Sequence, residues 1–330
     1  MKEIFMETIY FATNRNPNNA QTPTDFGKGF SDTSLGDLRF GQVKVKRGTL
    51  DPNSIQVLPD NPAQGSEALF KQLRESMKAQ SLDSLLFIHG FNVSFKAAVE
   101  SAAKIGERYA KLSNKTYQPN IFVFSWPSDG EVASYINDRH DAEASGYAFA
   151  RGLMKLATFL KSSNSEEACQ QKINLIAHSM GNYVLRHALQ QAQKIANSAS
   201  LSRIFDNIVL TAADEDNDAF EFEHKLAKLP ELAQRITVYF NNGDLALATS
   251  DITKGNPDRL GHDGPSKPHQ IHAKVVIVDA SDVVKGISEH SYHVGEDKVA
   301  KDIIAVFQGE SSDKIPSREY VSHANKFRLF

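Results

Sequence analysis

The sequence predicts an α/β fold: a mostly parallel central sheet with helices on both faces and antiparallel strands at its N-terminal edge. Three observations carry this. Short apolar runs recur at residues 85–88, 121–124, 173–177, 208–210, 236–240 and 275–278, and a run apolar on both sides reads as a strand covered on both faces. Amphipathic stretches of helical period alternate with these runs from about residue 66 to 307, the pattern of a helix-covered parallel sheet. No Pro/Gly/Ser-rich linker separates regions of different composition and no internal repeat occurs, so residues 1–330 read as one domain.

In chain order, residues 5–13 predict a strand. Residues 14–36, rich in Asn, Pro, Gly, Asp and Ser, predict a long loop. Residues 38–45 alternate polar and apolar, a second strand with one wet face that pairs with the first at an antiparallel sheet edge. A helix is expected over 66–80, with Leu69, Phe70, Leu73 and Met77 on one stripe and Ser66 as its N-cap. Further helices are expected at 94–112, 134–160, after residue 180, at 218–229 and at 297–307. The tail from Gln308 is polar and reads as loosely held.

Composition bounds the function. Among 330 residues, 37 basic and 40 acidic ones are well mixed and give a net charge of −3. That balance offers no electrostatic reason for a nucleic-acid or anionic-membrane partner. Cys169 stands alone, which excludes an internal disulfide framework and reads as a spare thiol. No apolar run approaches the roughly 20 residues of a membrane span. The first eight residues carry acids and lack a long apolar core, unlike a secretory signal. A cytoplasmic location is the expectation, and the oligomeric state is left open.

The most informative stretch is residues 173–185. A β-branched apolar run turns abruptly at His178-Ser179-Met180 and continues with helical period. This is the layout of a nucleophile elbow, which lifts a serine hydroxyl above a parallel sheet. The usual pattern is Gly-x-Ser-x-Gly. Here Ala177 replaces the first glycine, a mild departure, because small residues are needed where strand and helix backbones approach.

Ligands of open parallel sheets gather at the carboxyl ends of strands. At those ends the sequence places His89-Gly90-Phe91, Trp126, His178-Ser179, Asp214 and Asp216, Asp244, and His290 with His293. A serine hydroxyl needs a base, and neutral imidazole suits. The imidazole needs a carboxylate to hold its tautomer. The oxyanion needs amide donors, each worth roughly 3–4 kcal/mol of barrier. The order Ser, Asp, His is the chain order expected for this layout.

Taken together, Ala12-Thr13-Asn14-Arg15, residues 87–92, Phe124-Ser125-Trp126-Pro127, the elbow, Asp244 to Leu247 with Arg259-Leu260-Gly261, and His290-Ser291-Tyr292 resemble the α/β-hydrolase superfamily. More narrowly, they are similar to a lipase/esterase-like family labelled hydrolase of unknown function. The resemblance spans most of the chain and is silent on substrate. It implies Ser179 as nucleophile, His290 as base and Asp244 as acid, with the Phe91 and Met180 amides as oxyanion hole. His293 is the alternative base and Asp214 the alternative acid. The expected activity is a serine hydrolase acting on a small-molecule acyl ester without a cofactor. A non-catalytic binding scaffold on the same fold is the alternative.

Other residues have plainer readings. His89, His178 and Trp126 are pocket candidates, the histidines orienting loops and the tryptophan serving as wall or core filler. Asp214, Glu215 and Asp216 also suit a helix cap. Asp138, Arg139 and Asp141 read as a solvated helix start, and Arg15 as a surface arginine in a turn. His262, Asp263, His269 and His272 share a loop whose spacing admits a metal-dependent hydrolase as a third alternative, but Pro265 and Pro268 interrupt it and no cysteine lies nearby. No metal site is expected. The loops at 14–36 and 249–272 are expected to shape the pocket.

Overall fold

The computed structural model describes residues 6–31, 34, 36–58, 65–129, 135–162, 169–197, 201–247, 258–285 and 290–330. Residues 1–5, Ser134, and 249–257 of the second pocket loop lie outside them.

The core is a sheet of 12 strands among the described residues. In chain order the strands are β1 (Met6–Thr13), β4 (Arg39–Lys46), β5 (Thr49–Leu50), β6 (Gln56–Leu58), β7 (Ser84–Ile88), β8 (Asn120–Ser125), β9 (Ile173–His178), β10 (Phe205–Thr211), β11 (Ala233–Phe240), β12 (Val275–Asp279), β13 (Arg318–Val321) and β14 (Lys326–Leu329). The intervening β2 (Arg15–Pro17) and β3 (Phe26–Phe30) form a separate hairpin. The spatial order is β13-β14-β12-β11-β10-β9-β7-β8-β1-β4-β5, with β6 beside β4. Strands β14 through β1 in that order run parallel. The antiparallel strands lie at the two edges.

The wholly apolar strands are the inner ones, as double-sided burial requires: all five residues of β7 are buried. Helices α1 (Gly65–Gln80), α2 (Phe95–Leu112), α3 (Tyr135–Ser162), α4 (Gly181–Ile195) and α5 (Asp297–Gln308) supply amphipathic cover. One core lies under α1, α3 and α4, around Phe70, Phe149 and Leu185. The other lies under α2 and α5, around Phe95, Val99 and Phe307. Ser94 caps α2, its hydroxyl accepting from the Ala97 amide at 3.2 Å.

The chain leaves β7 for β8 on one side, then returns to place β9 on the other. The mouth between β7 and β9 is therefore the topological switch point, where ligands of such sheets gather.

Four expectations need correction. Residues 14–36 are not all loop, since the β2–β3 hairpin lies within them, with Phe26 buried against Phe11 and Phe95. Residues 218–229 form successive turns rather than a helix. Lys225 reaches back to Asp216 at 2.9 Å and to Asp218, and the Leu226 amide donates to Ala219 O at 2.7 Å, a seven-residue span that an α-helix does not make. Ser66 lies inside α1, whose first residue is Gly65, and is not its cap. The tail is not loose: β14 extends the parallel sheet beside β12, and β13 pairs with β14. Buried Arg318 fastens it, with Nε 2.9 Å and Nη2 2.6 Å from the Asp302 carboxylate of α5. Tyr239 completes this group, its hydroxyl donating to Asp302 at 2.5 Å.

Candidate active site

Ser179 sits between β9 and α4 with φ +53°, a left-handed conformation that costs a non-glycine residue strain. The turn is held from three directions. The Ser179 amide donates to Thr211 O at 3.0 Å, and its carbonyl accepts from the Asn182 and Asp214 amides at 3.0 and 3.3 Å. Buried Asn182 turns its side-chain amide onto Ala177 O at 3.1 Å and Ser179 O at 3.0 Å. Sequence reasoning missed Asn182; its position three residues after the serine was the available signal. A Cβ on Gly181 would lie 2.5 Å from Ile88 O and 2.7 Å from His89 O, so only glycine lets α4 start against the end of β7. A Cβ on Gly90 would meet Ser179 Cβ at 2.8 Å. The loop after β7 is thus pressed against the serine. Among the described residues, neither the Phe91 nor the Met180 amide donates to a backbone acceptor.

At the end of β11, Asp244 is wholly buried. Its Oδ1 accepts from the Ala246 and Leu247 amides at 3.1 and 3.3 Å. Its Oδ2 lies 2.7 Å from His290 Nδ1. The two residues are 46 apart in sequence and are brought together by the loops after β11 and β12. The His290 side chain keeps 23% exposure while its carboxylate partner has none. The pair is therefore dry on one side and open on the other. Tyr292 braces the same corner, its hydroxyl donating to Tyr239 O at 3.0 Å and accepting from the Ala212 amide at 2.7 Å.

Asp214 is engaged elsewhere. The Tyr135 hydroxyl donates to its Oδ2 at 2.6 Å, and Arg259 Nε lies 3.5 Å from its Oδ1. Buried Arg259 also binds Asp216 at 3.0 Å, and Arg186 binds Glu215 at 3.1 Å. No helix follows for these acids to cap. Burial, opposed by Arg186 and Arg139, lifts the Glu215 carboxyl to about 7.

His178 and His293 lie behind His290. The His178 ring is 4.9 Å from the His290 ring and 4.5 Å from the His293 ring, and its Nε2 is 3.1 Å from His290 O. Burial, with His293 and His290 as neighbours, keeps the His178 imidazole neutral far below the usual range. His293 is 3% exposed beside Phe87, and burial lowers its pKa to about 3. It has no carboxylate among the described residues.

His89 and Trp126 stack with ring centroids 5.1 Å apart. Trp126 Nε1 donates to His89 O at 2.9 Å, and His89 Nε2 accepts from the Trp126 amide at 3.2 Å. At 1% and 0% exposure they support the β7 loop from beneath. Tyr135, which carries no sequence signal, packs edge-on against Phe91 with centroids 5.4 Å apart.

Two polar residues read as surface groups are buried. Arg15 is 0% exposed rather than a surface arginine. Asp138, also 0% exposed, binds Ser128 Oγ and accepts from the Asn92 and Asp129 amides at 3.2 and 2.8 Å. Arg139 lies over the Tyr183 ring at 4.0 Å. Asp138 is therefore a buried acceptor rather than part of a solvated helix start, although Ile136, Asn137 and His140 around it are exposed.

The loop histidines are not gathered. His262 Nδ1 lies against Asp263 at 2.9 Å, His269 Nε2 against His323 O at 3.1 Å, and His272 Nδ1 accepts from the Lys274 amide at 3.1 Å. Among the described residues the one group close enough to share an ion is Asp129, Asp138 and Asp141. Its central member, Asp138, already accepts from Ser128 Oγ and from the Asn92 and Asp129 amides. An almost entirely apolar cavity of about 70 Å³ lies between α1, α3 and the sheet, lined by Leu38, Phe70 and Leu153 among others. It touches none of Ser179, Asp244 and His290. No described helix is long and apolar enough to cross a membrane.

Comparison with known proteins agrees with this architecture. Over 217 residues the chain is 27% identical to an uncharacterized protein of Nostoc sp. (strain PCC 7120), covering 56% of this chain and 51% of that protein. The chain thus spans about half the length of the curated relative it matches. Residues 65–306 match the family model described as alpha/beta hydrolase of unknown function, DUF900. That stretch runs from α1 almost to the end of α5, and the chain belongs to this family of α/β hydrolases.

Proposed function

We propose that the protein is a serine hydrolase that cleaves a carboxylic ester or related acyl bond of a small soluble substrate, through an acyl-enzyme. The observation that carries this reading is the 2.7 Å contact between Asp244 and the partly exposed His290, whose ring lies 4.9 Å from that of His178, the residue before a serine in a left-handed turn. Asp244 holds the His290 Nδ1–H, which leaves Nε2 as the basic nitrogen. His290 takes the Ser179 proton as Oγ attacks the carbonyl carbon. The Phe91 and Met180 amides receive the oxyanion. Collapse of the tetrahedral adduct breaks the acyl–oxygen bond, and His290 returns its proton to the leaving alcohol. Water then repeats the cycle on the acyl-enzyme and releases the acid. Apart from the substrate and water, these steps use only this chain's own groups, and we assign the protein to the cytoplasm.

The test is labelling with a fluorophosphonate probe, followed by turnover of p-nitrophenyl esters of increasing chain length. Wild-type protein should label and turn over, while Ser179→Ala should do neither and melt at an unchanged temperature. Folded wild-type protein that stays unlabelled would sink the proposal.

A further inference from the structure

The motif Ala12-Thr13-Asn14-Arg15 has no part in the acyl-transfer steps, yet it ends in a wholly buried arginine. Among the described residues Arg15 forms no ion pair. Its donors go to neutral oxygens: Nε to Ser125 Oγ at 2.9 Å, Nη1 to Gly27 O at 3.1 Å and Ser128 O at 3.3 Å, and Nη2 to Val93 O at 2.6 Å. One guanidinium thus joins the β2–β3 hairpin, the loop after β8 and the loop after β7. Taking a cation out of water costs several kcal/mol, and apolar side chains of similar volume fill such sites at less cost. Packing alone does not account for an arginine here.

The loop after β7 is the one that carries Phe91. From Gly90, which abuts Ser179, to Val93 is three residues. Within that run Asn92 is held at φ +61°, a left-handed conformation that relaxes unless its neighbours fix it. Two opposite charges do so. Asp138 accepts the Asn92 amide at 3.2 Å, and Arg15 binds the next residue's carbonyl, Val93 O, at 2.6 Å. Ser128 links the two clamps, its hydroxyl accepting from the Val93 amide at 3.2 Å and donating to Asp138. Burial lowers the Arg15 pKa to about 9, against the opposing pull of Asp138, so the guanidinium is charged at neutral pH.

We infer that Arg15 is a positioning residue for the oxyanion hole: together with Asp138, it locks the Asn92–Val93 segment so that the Phe91 amide stays aimed at the substrate oxygen beside Ser179. The inference rests on the role proposed for Phe91. Donor aim matters because an oxyanion hole works by preorganisation, and a misplacement of about 1 Å costs on the order of 100-fold.

The experiment compares wild type, Arg15→Lys and Arg15→Met in p-nitrophenyl ester turnover and in inhibition by a trifluoromethyl ketone. Ser179 adds reversibly to that ketone, placing an alkoxide in the oxyanion hole. In Arg15→Met, kcat and ketone affinity should fall together by about 100-fold while KM moves no more than about threefold. Arg15→Lys, which keeps the charge but not the fork, should fall between. If Arg15→Met does not fold, Asp138→Asn carries the test, since it keeps the shape and weakens the other clamp; the same joint fall is expected. A folded variant with a lower Tm but wild-type kcat and ketone affinity would overturn the inference and leave Arg15 a purely structural clamp. Failure of the underlying reading has a different signature, namely wild-type protein inert to the fluorophosphonate.

Discussion

The loops after β10 and β11 leave neighbouring parallel strands at the same sheet edge, and each carries a buried aspartate. Asp214 meets cations and a phenol: Arg259, Tyr135 and the field of Arg139. Asp244 meets two backbone amides and one imidazole. A carboxylate that neutralises an arginine has its charge committed to holding the structure. One that is satisfied by amides on one oxygen keeps the other free to orient a histidine. The residue type is the same, and the partner decides whether its charge is committed to an arginine or left to orient an imidazole.

The sharpest way to break this comparison is to remove one charge at a time. Asp244→Asn should cut kcat/KM by about 10⁴-fold, because the amide holds the wrong His290 tautomer. Asp214→Asn should leave turnover within about tenfold and lower stability instead. Loss of turnover in the second variant with retention in the first would reverse the assignment. Arg259→Met should destabilise by about 3–5 kcal/mol in chemical denaturation, since Asp214 and Asp216 lose their buried partner. If it melts like wild type, the β10 acids are not held as described. Tyr135→Phe removes one hydrogen bond to Asp214 and should cost about 1 kcal/mol, without the loss of turnover seen for Asp244→Asn.

The comparison of buried groups extends to pH dependence. His89 and His293 titrate near 3 in the folded protein, lowered first by burial, against about 6.5 when unfolded. Between those values the unfolded chain binds more protons, so stability falls as pH drops below about 6.5. Glu7 and Glu215, both raised to about 7 chiefly by burial, act in the opposite sense. Their contribution is complete below about 4.5 and is lost as pH rises through about 7. In melts from pH 5 to 8, His293→Phe should flatten the acid-side loss, and Glu7→Gln should remove part of the loss on the alkaline side. Parallel curves for wild type and variants would show that these groups are not the titrating ones.

The legibility of the fold followed the range of the forces involved. Apolar strands 85–88 and 173–178 and the stripe of α2 were readable because double-sided burial and helical period act over a few residues. Residues 218–229 misled because a run of turns closed by the Leu226–Ala219 hydrogen bond and by Lys225 on Asp216 and Asp218 carries the same apolar spacing as a helix. The tail misled because its strands are short and charged, and its anchor, Asp302, belongs to another element. Arg15 looked like a surface residue because nothing beside it in sequence shows that Gly27, Val93 and Ser128 will converge on it.

By itself the sequence determined the alternation of strand and helix, the turn at Ser179 flanked by Ala177 and Gly181, and the set of acids and histidines that end on the same edge. Those are local properties, written in periodicity and side-chain size. Tertiary structure decided which aspartate faces His290, that His293 lies buried behind His178, and that Arg15 and Asp138 hold adjacent residues of one loop. Such pairings join residues tens of positions apart. They depend on strand order and on where burial leaves a charge with a single available partner, and a linear reading of residues carries neither.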